Sequence, residues 1–361
     1  MRRRRNTPPD DIYNDTSEFN SSILLQTILL TTRMLKNQWR NTAYMYSKIW
    51  VHVISAILVG FTFFDLGTTP QELQNRAFSV YFILFLCNAI QFREGPSRAY
   101  GWIAFASSTI LSEIPGAVLV TVVYFLLWYF PSGLPQSEAG YIFLFLLTYE
   151  IFQGKVLLGL FMMALSPDLS IASNILVFIV FTFNWFNGII VPYDQIQVFW
   201  RYWLYYLSPF TYHLGGMVTA VTSQTTITCT GSDLAIFHPP PNSTCGSYGS
   251  SLISSVQAQL LNPNATEGCQ ACRWQTGEQW LEQFSLDGGG PFGGKWGAWG
   301  VFVGFTVLNL GLVYFFTWVT KVKRWRVFWF FEWGFLCRVV VEEAGLDRWM
   351  DGWMGVGRGN T

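Results

Sequence analysis

Six long apolar runs constrain what this chain can fold into. They cover residues 45–66, 76–91, 102–130, 141–165, 171–191 and 297–319. A helix of about 20 apolar residues crosses the roughly 30 Å hydrocarbon core of a bilayer, and every run except the second reaches that length. The second run, about 16 residues long, lies below the usual minimum for a span. We therefore predict an all-α membrane protein with six transmembrane helices, not a soluble enzyme.

The distribution of Lys and Arg predicts the orientation of these spans. Cationic residues cluster before the first run and after the last, whereas the long segment between runs five and six carries few. Basic flanks mark the cytoplasmic side, and an even number of spans returns both ends to that side. The clustered residues are Arg33, Lys36, Arg40, Lys321, Lys323, Arg324 and Arg326. We expect both ends to be cytoplasmic and residues 222–296 to be extracellular.

Composition agrees with a membrane protein and gives no sign of a nucleic-acid partner. Only 12% of the residues are charged, against about 25% in soluble domains. No basic patch alternates with base-stacking aromatics. Many of the 17 Trp lie near the ends of runs, which is typical of anchoring at the headgroup level. Aromatic packing in the core is the alternative reading of the same residues.

The segments before the first run have their own patterns. Residues 1–21 are polar and predict a flexible cytoplasmic lead-in. In residues 22–43, apolar side chains recur at helical spacing with Arg33, Lys36 and Arg40 among them. This pattern predicts an amphipathic connecting helix on the inner leaflet, with an ordinary surface helix as the alternative.

The chain does not leave the membrane directly after run five. Residues 198–221 are rich in aromatics and are broken by Ser208-Pro209. We interpret this as a re-entrant outer segment, so that residues 44–221 hold spans one to five plus that segment. An interfacial helix pair is the alternative. Residues 297–320 form span six, and residues 321–361 form a cytoplasmic tail.

The hydrophilic segment 222–296 predicts a small disulfide-bonded extracellular loop domain. It contains two glycosylation sequons, at Asn242 and Asn264, and we expect sugar on both. Oxidised pairing is expected outside the cell, and four cysteines allow three connectivities. Their spacing does not fit a zinc ribbon. The cysteines are Cys229, Cys245, Cys269 and Cys272.

No catalytic, metal or cofactor site is predicted in this chain. Residues 289–295 match the spacing of a phosphate loop, but Trp296 stands where Ser or Thr would bind magnesium. Glu113 and Glu150 lie inside apolar runs, where an ionisable group is by default functional or structurally paired. We expect Glu150 to bond to another span.

Several motifs together resemble the second membrane domain of fungal pleiotropic drug resistance ABC transporters, the full-length ABCG-like type with ABC-2 membrane domains. The resemblance covers about residues 10–326. The motifs are Gln38-Trp39-Arg40-Asn41-Thr42, Arg93-Glu94-Gly95-Pro96-Ser97, Glu113-Ile114-Pro115, Ala164-Leu165-Ser166-Pro167, and Phe199-Trp200-Arg201-Tyr202-Trp203 leading to Ser208-Pro209-Phe210-Thr211-Tyr212.

This resemblance implies the membrane half of an ATP-driven exporter of amphipathic drugs, sterols or lipids in the plasma membrane. Its partners would be the bilayer, the complementary half, the nucleotide-binding domains and a hydrophobic small-molecule substrate. ATP and magnesium would bind only to those missing domains. The cavity candidates are Phe181, Asn184, Trp185 and Asn187, and the coupling or packing candidates are Glu113, Arg93 and Glu94.

The sequence also departs from this family in three ways. It has no Walker or signature segment, its second run is shorter than in the family, and residues 327–361 do not resemble it. These departures suggest a truncated or fragmentary gene product with no ATP hydrolysis of its own. The alternative function is a non-transporting membrane protein, either a regulator or an inert remnant of the fold.

Overall fold

A computed structural model describes residues 21–84, 101–153, 169–256, 258–286 and 294–321, which are mostly helical. The helices are α1 (Ile23–Arg40), α2 (Thr42–Thr62), α3 (Pro70–Ile83), α4 (Trp102–Tyr129), α5 (Ala139–Gln153), α6 (Leu169–Trp185), α7 (Val198–Trp200), α8 (Pro209–Thr222), α9 (Cys245–Val256), α10 (Gly277–Glu282) and α11 (Gly294–Lys321). The strands are β1 (Leu234–Phe237), β2 (Gln259–Leu260) and β3 (Cys269–Cys272). A π-helical segment, Arg201–Tyr205, continues α7.

Three of the described helices are long and apolar enough to cross a membrane. They contain the segments Met45–Thr62 in α2, Trp102–Tyr129 in α4 and Gly294–Val319 in α11. The prediction that apolar runs one, three and six form long helices is therefore confirmed. Helices α5 and α6 have 15 and 17 described residues, and residues 154–168 between them lie outside the described residues. The count of six spans stays a prediction.

Helix α3 begins six residues before the apolar run that predicted it. Thr69 caps the helix, its side chain accepting from the backbone of Glu72, whose carboxylate accepts from the backbone of Thr69. Pro70 at the first helical position favours the same start, because its fixed φ suits a helix and its missing N–H is not needed there. The apolar pattern alone does not register such a polar helix start.

Helix α8 lies at the centre of the described core. All fourteen of its residues are buried, and it packs against α3, α5, α6, α10 and α11. At 1.5 Å per residue it is about 21 Å long, shorter than the hydrocarbon core of a bilayer. A Cβ at Gly216 would lie 2.8 Å from the Tyr141 hydroxyl and 3.1 Å from Cβ of Ala298. Only glycine at this position of α8 permits α5 and α11 to pack so close to α8.

Helix α4 is the support for the N-terminal part of the fold. Both α1 and α2 pack along it, and α1 turns its buried residues Gln26 and Leu30 inward. In α2, a Cβ at Gly60 would lie 2.5 Å from the carbonyl oxygen of Leu127. Asn41 alone separates α1 from α2. The expected helix in residues 22–43 is therefore present, and it leads directly into the first apolar helix.

A small antiparallel sheet, in the order β1-β3-β2, lies between α8 and α11 in the sequence. Two disulfides, Cys229–Cys272 and Cys245–Cys269, hold it, which confirms the predicted oxidation and selects one of the three connectivities. Cys269 and Cys272 are three residues apart on β3 and therefore face opposite sides of the sheet. Each therefore forms its disulfide on a different side of the sheet. Three of the four cysteines are fully buried, and Cys229 is partly buried.

Candidate functional site

A buried carboxylate on α4 contacts two other helices. Nε2 of Gln38 on α1 donates to Oε1 of Glu113 at 2.6 Å, and Nζ of Lys48 on α2 lies 3.7 Å from Oε2. Gly116 of α4 borders the ammonium group, and a Cβ there would make an ordinary van der Waals contact with Nζ at 3.8 Å. Glu113 is thus placed where α1, α2 and α4 meet. Its role in coupling stays a prediction, as does any role in substrate binding.

A second buried pair joins α2 to α5. Nε2 of His52 lies 2.8 Å from Oε1 of Glu150, and Nδ1 of His52 lies 2.7 Å from the carbonyl oxygen of Lys48. A carbonyl oxygen only accepts, so Nδ1 carries a hydrogen. The contact with Glu150 then needs one more proton, placed on either Nε2 or the carboxylate. The expectation that Glu150 bonds to another helix is met, with His52 as the partner.

Both pairs lie on one face of α2. Lys48 and His52 are four residues apart, so their side chains are neighbours on the helix surface. Their acidic partners belong to different helices, α4 for Glu113 and α5 for Glu150. An unpaired charge in an apolar interior is very costly, whereas a paired one is tolerated. The two pairs therefore join one face of α2 to both α4 and α5.

The four predicted cavity residues divide between two environments. Phe181 and Trp185 of α6 are 56% and 48% exposed, and their ring centroids are 5.8 Å apart. Asn184 and Asn187 are buried and bond to backbone. Nδ2 of Asn184 donates to the carbonyl of Val180, and Nδ2 of Asn187 donates to the carbonyl of Asn184. The two amides shape the end of α6, while the aromatic pair presents an open apolar face.

A buried arginine supports the C-terminal end of α8. The guanidinium of Arg76 donates to the carbonyls of Leu66, Gly67 and Val221 and to the hydroxyl of Thr225, at 2.7–3.1 Å. The carbonyl of Val221 belongs to the last turn of α8, which is the negative end of the helix dipole. Arg76 therefore joins the α2–α3 connection to the point where α8 enters the disulfide-bonded segment.

An ion pair connects the residues just before α5, the start of α11 and the residues just after α8. Nζ of Lys295, in the first turn of α11, lies 2.5 Å from both carboxylate oxygens of Glu138. Nε2 of Gln224, just beyond α8, donates to the same carboxylate at 3.2 Å. The hydroxyl of Tyr141 donates to the carbonyl of Lys295. This cluster fixes the start of α5 against the start of α11.

The remaining predicted site residues are placed as follows. Arg93 and Glu94 lie outside the described residues. Asn242 and Asn264 have exposed side chains, so the amides are accessible for the predicted glycosylation. Within the described ranges no group of three or more His, Cys, Asp or Glu could hold a metal ion. The cofactor predictions stay predictions.

Sequence reasoning missed the partners in these contacts. His52 and Glu150 are 98 residues apart, and Glu138 and Lys295 are 157 apart, so no local spacing relates them. The available signal was the presence of charged residues within or beside apolar runs, which predicts a partner without identifying it. Arg76 carried the same signal, since it stands at the start of the second run.

Comparison with known proteins identifies the class. Residues 25–221 match the ABC-2 type transporter family, and with the apolar helices this match defines a membrane protein of the ABC-2 class. The chain belongs to that family, as a membrane domain of the fungal ABCG type. It is 37% identical over 327 residues to the ABC multidrug transporter atrF of Aspergillus flavus, which covers 85% of this chain and 21% of that protein.

A second relative agrees at lower identity. The chain is 29% identical over 339 residues to the Brefeldin A resistance protein of Schizosaccharomyces pombe, covering 87% of this chain and 22% of that protein. The chain thus spans about a fifth of the length of the curated relatives it matches.

Proposed function

We propose that this chain is the membrane-spanning half of an ATP-driven exporter of amphipathic drugs, sterols or lipids in the plasma membrane. The observation that carries this proposal is the similarity of nearly the whole chain to one part of fungal multidrug transporters. ATP and magnesium act on nucleotide-binding domains, which work with this half and with a complementary membrane half. The chain itself supplies the path across the bilayer.

The proposed topology has six spans. Residues 22–43 lie on the cytoplasmic leaflet, and residues 222–296 form an extracellular domain with glycans on Asn242 and Asn264. The segment from α7 through α8 is re-entrant. Its support is the length of α8, about 21 Å, its complete burial, and its direct continuation into the disulfide-bonded segment. The lead-in 1–21 and the tail 321–361 are cytoplasmic.

The proposed substrate path runs along α6. Phe181 and Trp185 expose adjacent aromatic rings, and apolar surfaces of this kind suit polyspecific binding of amphipathic molecules. Asn184 and Asn187 shape the end of that helix from behind. The complementary half covers this face and closes the cavity.

The proposed coupling elements lie where α1, α2 and α4 meet. Glu113 contacts α1 and α2, and Arg93 and Glu94 precede the same helix in the sequence. Movement of α1, which precedes the first span, is thereby transmitted to α4 through the hydrogen bond from Gln38 and the ion pair with Lys48.

A domain exchange tests the function. Residues 22–321 replace the matching part of the Aspergillus flavus transporter, and the chimaera is expressed in a yeast strain that lacks its own drug exporters. We expect ATP-dependent efflux of a fluorescent amphipathic drug. Chimaeras that reach the plasma membrane, bind and hydrolyse ATP, yet export nothing would contradict the proposal and favour a non-transporting membrane protein.

A further inference from the structure

The rotation of α1 about its own axis is fixed by α4. Near one end, Oε1 of Gln26 accepts from the backbone N–H of Gly101 at 3.0 Å. Near the other end, Gln38 donates to Glu113 at 2.6 Å and lies 3.3 Å from Oγ of Ser112. Leu30 is buried between these two points. Helix α1 therefore presents a defined outer surface, which we call the α1 outer face.

The α1 outer face has an apolar half and a cationic half. In the N-terminal half the exposed side chains are Ile23, Leu24, Leu25, Ile28 and Leu29. The C-terminal half exposes three cations and one indole, namely Arg33, Lys36, Arg40 and Trp39. Residues 21–50 contain no Asp or Glu. The exposed charge of this helix is therefore entirely positive.

The position of the cations relative to the membrane follows from their distance along the chain to the apolar segment of α2. Asn41 alone separates α1 from α2, whose apolar segment begins at Met45. Arg40, Lys36 and Arg33 precede this segment by 5, 9 and 12 residues, with Trp39 beside Arg40 as an interfacial anchor. Lys48, three residues beyond Met45, is buried and paired with Glu113, so it does not add to the exposed charge.

We infer that the α1 outer face binds phospholipids with anionic headgroups. The inference rests on the proposed topology, in which α1 lies on the cytoplasmic leaflet. The apolar half enters the acyl region, and the guanidinium and ammonium groups contact the phosphate and headgroup charges. Because α4 fixes the rotation of α1, the bound lipids sit beside the contact of Glu113 with Gln38. The lipid composition of the inner leaflet thus acts on the helix junction proposed for coupling.

Lipid titration of the purified full chain in detergent, followed by native mass spectrometry, tests this inference. Each cation near an anionic surface contributes about 1 kcal/mol, or about fivefold in affinity. The variant Arg33→Gln/Lys36→Gln/Arg40→Gln should therefore bind phosphatidylserine about 100-fold more weakly. Its affinity for phosphatidylcholine should not change. Binding of phosphatidylserine to the unmodified chain should weaken as salt is raised.

A matched control removes the same charge elsewhere. The variant Arg273→Gln, which removes one exposed cation from the disulfide-bonded segment, should bind phosphatidylserine as the unmodified chain does, whereas Lys36→Gln should bind it about fivefold more weakly. If Arg273→Gln and Lys36→Gln lose affinity equally, or if the α1 triple variant loses none, the inference is overturned. If the α1 triple variant does not fold, Lys36→Gln alone should still weaken binding about fivefold, and no change in that variant would overturn the inference.

This assay contains no ATP and no nucleotide-binding domain. Its result is therefore separate from that of the drug-efflux experiment. Loss of efflux with selective phosphatidylserine binding intact contradicts the proposed function alone. Efflux without lipid selectivity contradicts this inference alone.

Discussion

The apolar helices and the disulfide-bonded segment are held together by different chemistry. In the helices, buried ion pairs join elements far apart in sequence, as in Lys48–Glu113 and His52–Glu150. In the disulfide-bonded segment, two covalent bonds link a three-stranded sheet to its surroundings. A membrane interior offers little hydrophobic gain for helix association, so polar contacts decide which helices pair. A sheet of three short strands has too little core of its own, so covalent links stabilise it.

The largest effect is expected at His52 and Glu150. The change Glu150→Ala leaves His52 without its partner in a buried site, and breaking a buried pair costs about 3–5 kcal/mol. Glu150→Gln should cost much less, because its amide donates to Nε2 of a neutral imidazole. Thermal unfolding of the purified chain in nanodiscs measures both variants. Equal losses for alanine and glutamine would contradict the pairing.

The two disulfides should rank next and should separate the two regions. Closing loops of 43 and 24 residues stabilises the folded state by about 4 and about 3.5 kcal/mol in the chain-entropy description. The change Cys229→Ser/Cys272→Ser should therefore disturb the sheet more than Cys245→Ser/Cys269→Ser. Limited proteolysis within residues 222–286 measures this local opening. Equal protection in both variants and the unmodified chain would argue against it.

Glu113 should show a smaller effect on stability and a larger one on coupling. In a complete transporter, Glu113→Gln keeps the hydrogen bond with Gln38 but removes the charge that faces Lys48. We expect drug-stimulated ATP hydrolysis to fall several-fold while the set of exported drugs stays the same. The control is Ser108→Ala, which removes a buried hydroxyl on the same helix that bonds to the carbonyl of Phe105 and changes no charge. A changed drug set with normal ATP hydrolysis would contradict the assignment.

The smallest expected effect concerns the capping carboxylate of α3. The backbone N–H of Thr69, together with its hydroxyl, holds the pKa of Glu72 below its ordinary value. Its stabilising effect is therefore complete above the pKa of the unfolded chain, about 4.3, and is lost as pH falls through the lower folded value. The unmodified chain should lose more thermal stability than Glu72→Gln between pH 6 and about pH 3. Identical pH profiles would show that the cap is not charged.

Some of the fold was predictable because a single local property determines it. Helices α2, α4 and α11 followed from continuous apolar runs, and the oxidised cysteines followed from their number and their position between spans. The start of α3 was missed because Thr69, Pro70 and Glu72 are polar or helix-breaking by composition, although together they form a capping box. Local pattern therefore predicts where a helix lies better than where it begins.

The contacts within the site were not predictable from local pattern. Glu150 was expected to bond to another helix, but nothing near it in the sequence distinguishes His52 from any other polar residue. The disulfide connectivity depended on β3 turning Cys269 and Cys272 to opposite faces, which requires the sheet register. Phe181 and Asn184 belonged to one predicted cavity, yet the rotation of α6 exposes the first and buries the second.

In the proposed function, this chain provides a path across the membrane and a partner supplies the energy. The direct measurement is ATP-dependent uptake of a fluorescent amphipathic drug into proteoliposomes. One preparation contains the purified chain alone, and another also contains the complementary half and the nucleotide-binding domains. We expect uptake only in the second preparation, and we expect it to be lost when the complementary half is omitted. ATP-dependent uptake by the chain alone, or none in the complete preparation, would contradict it.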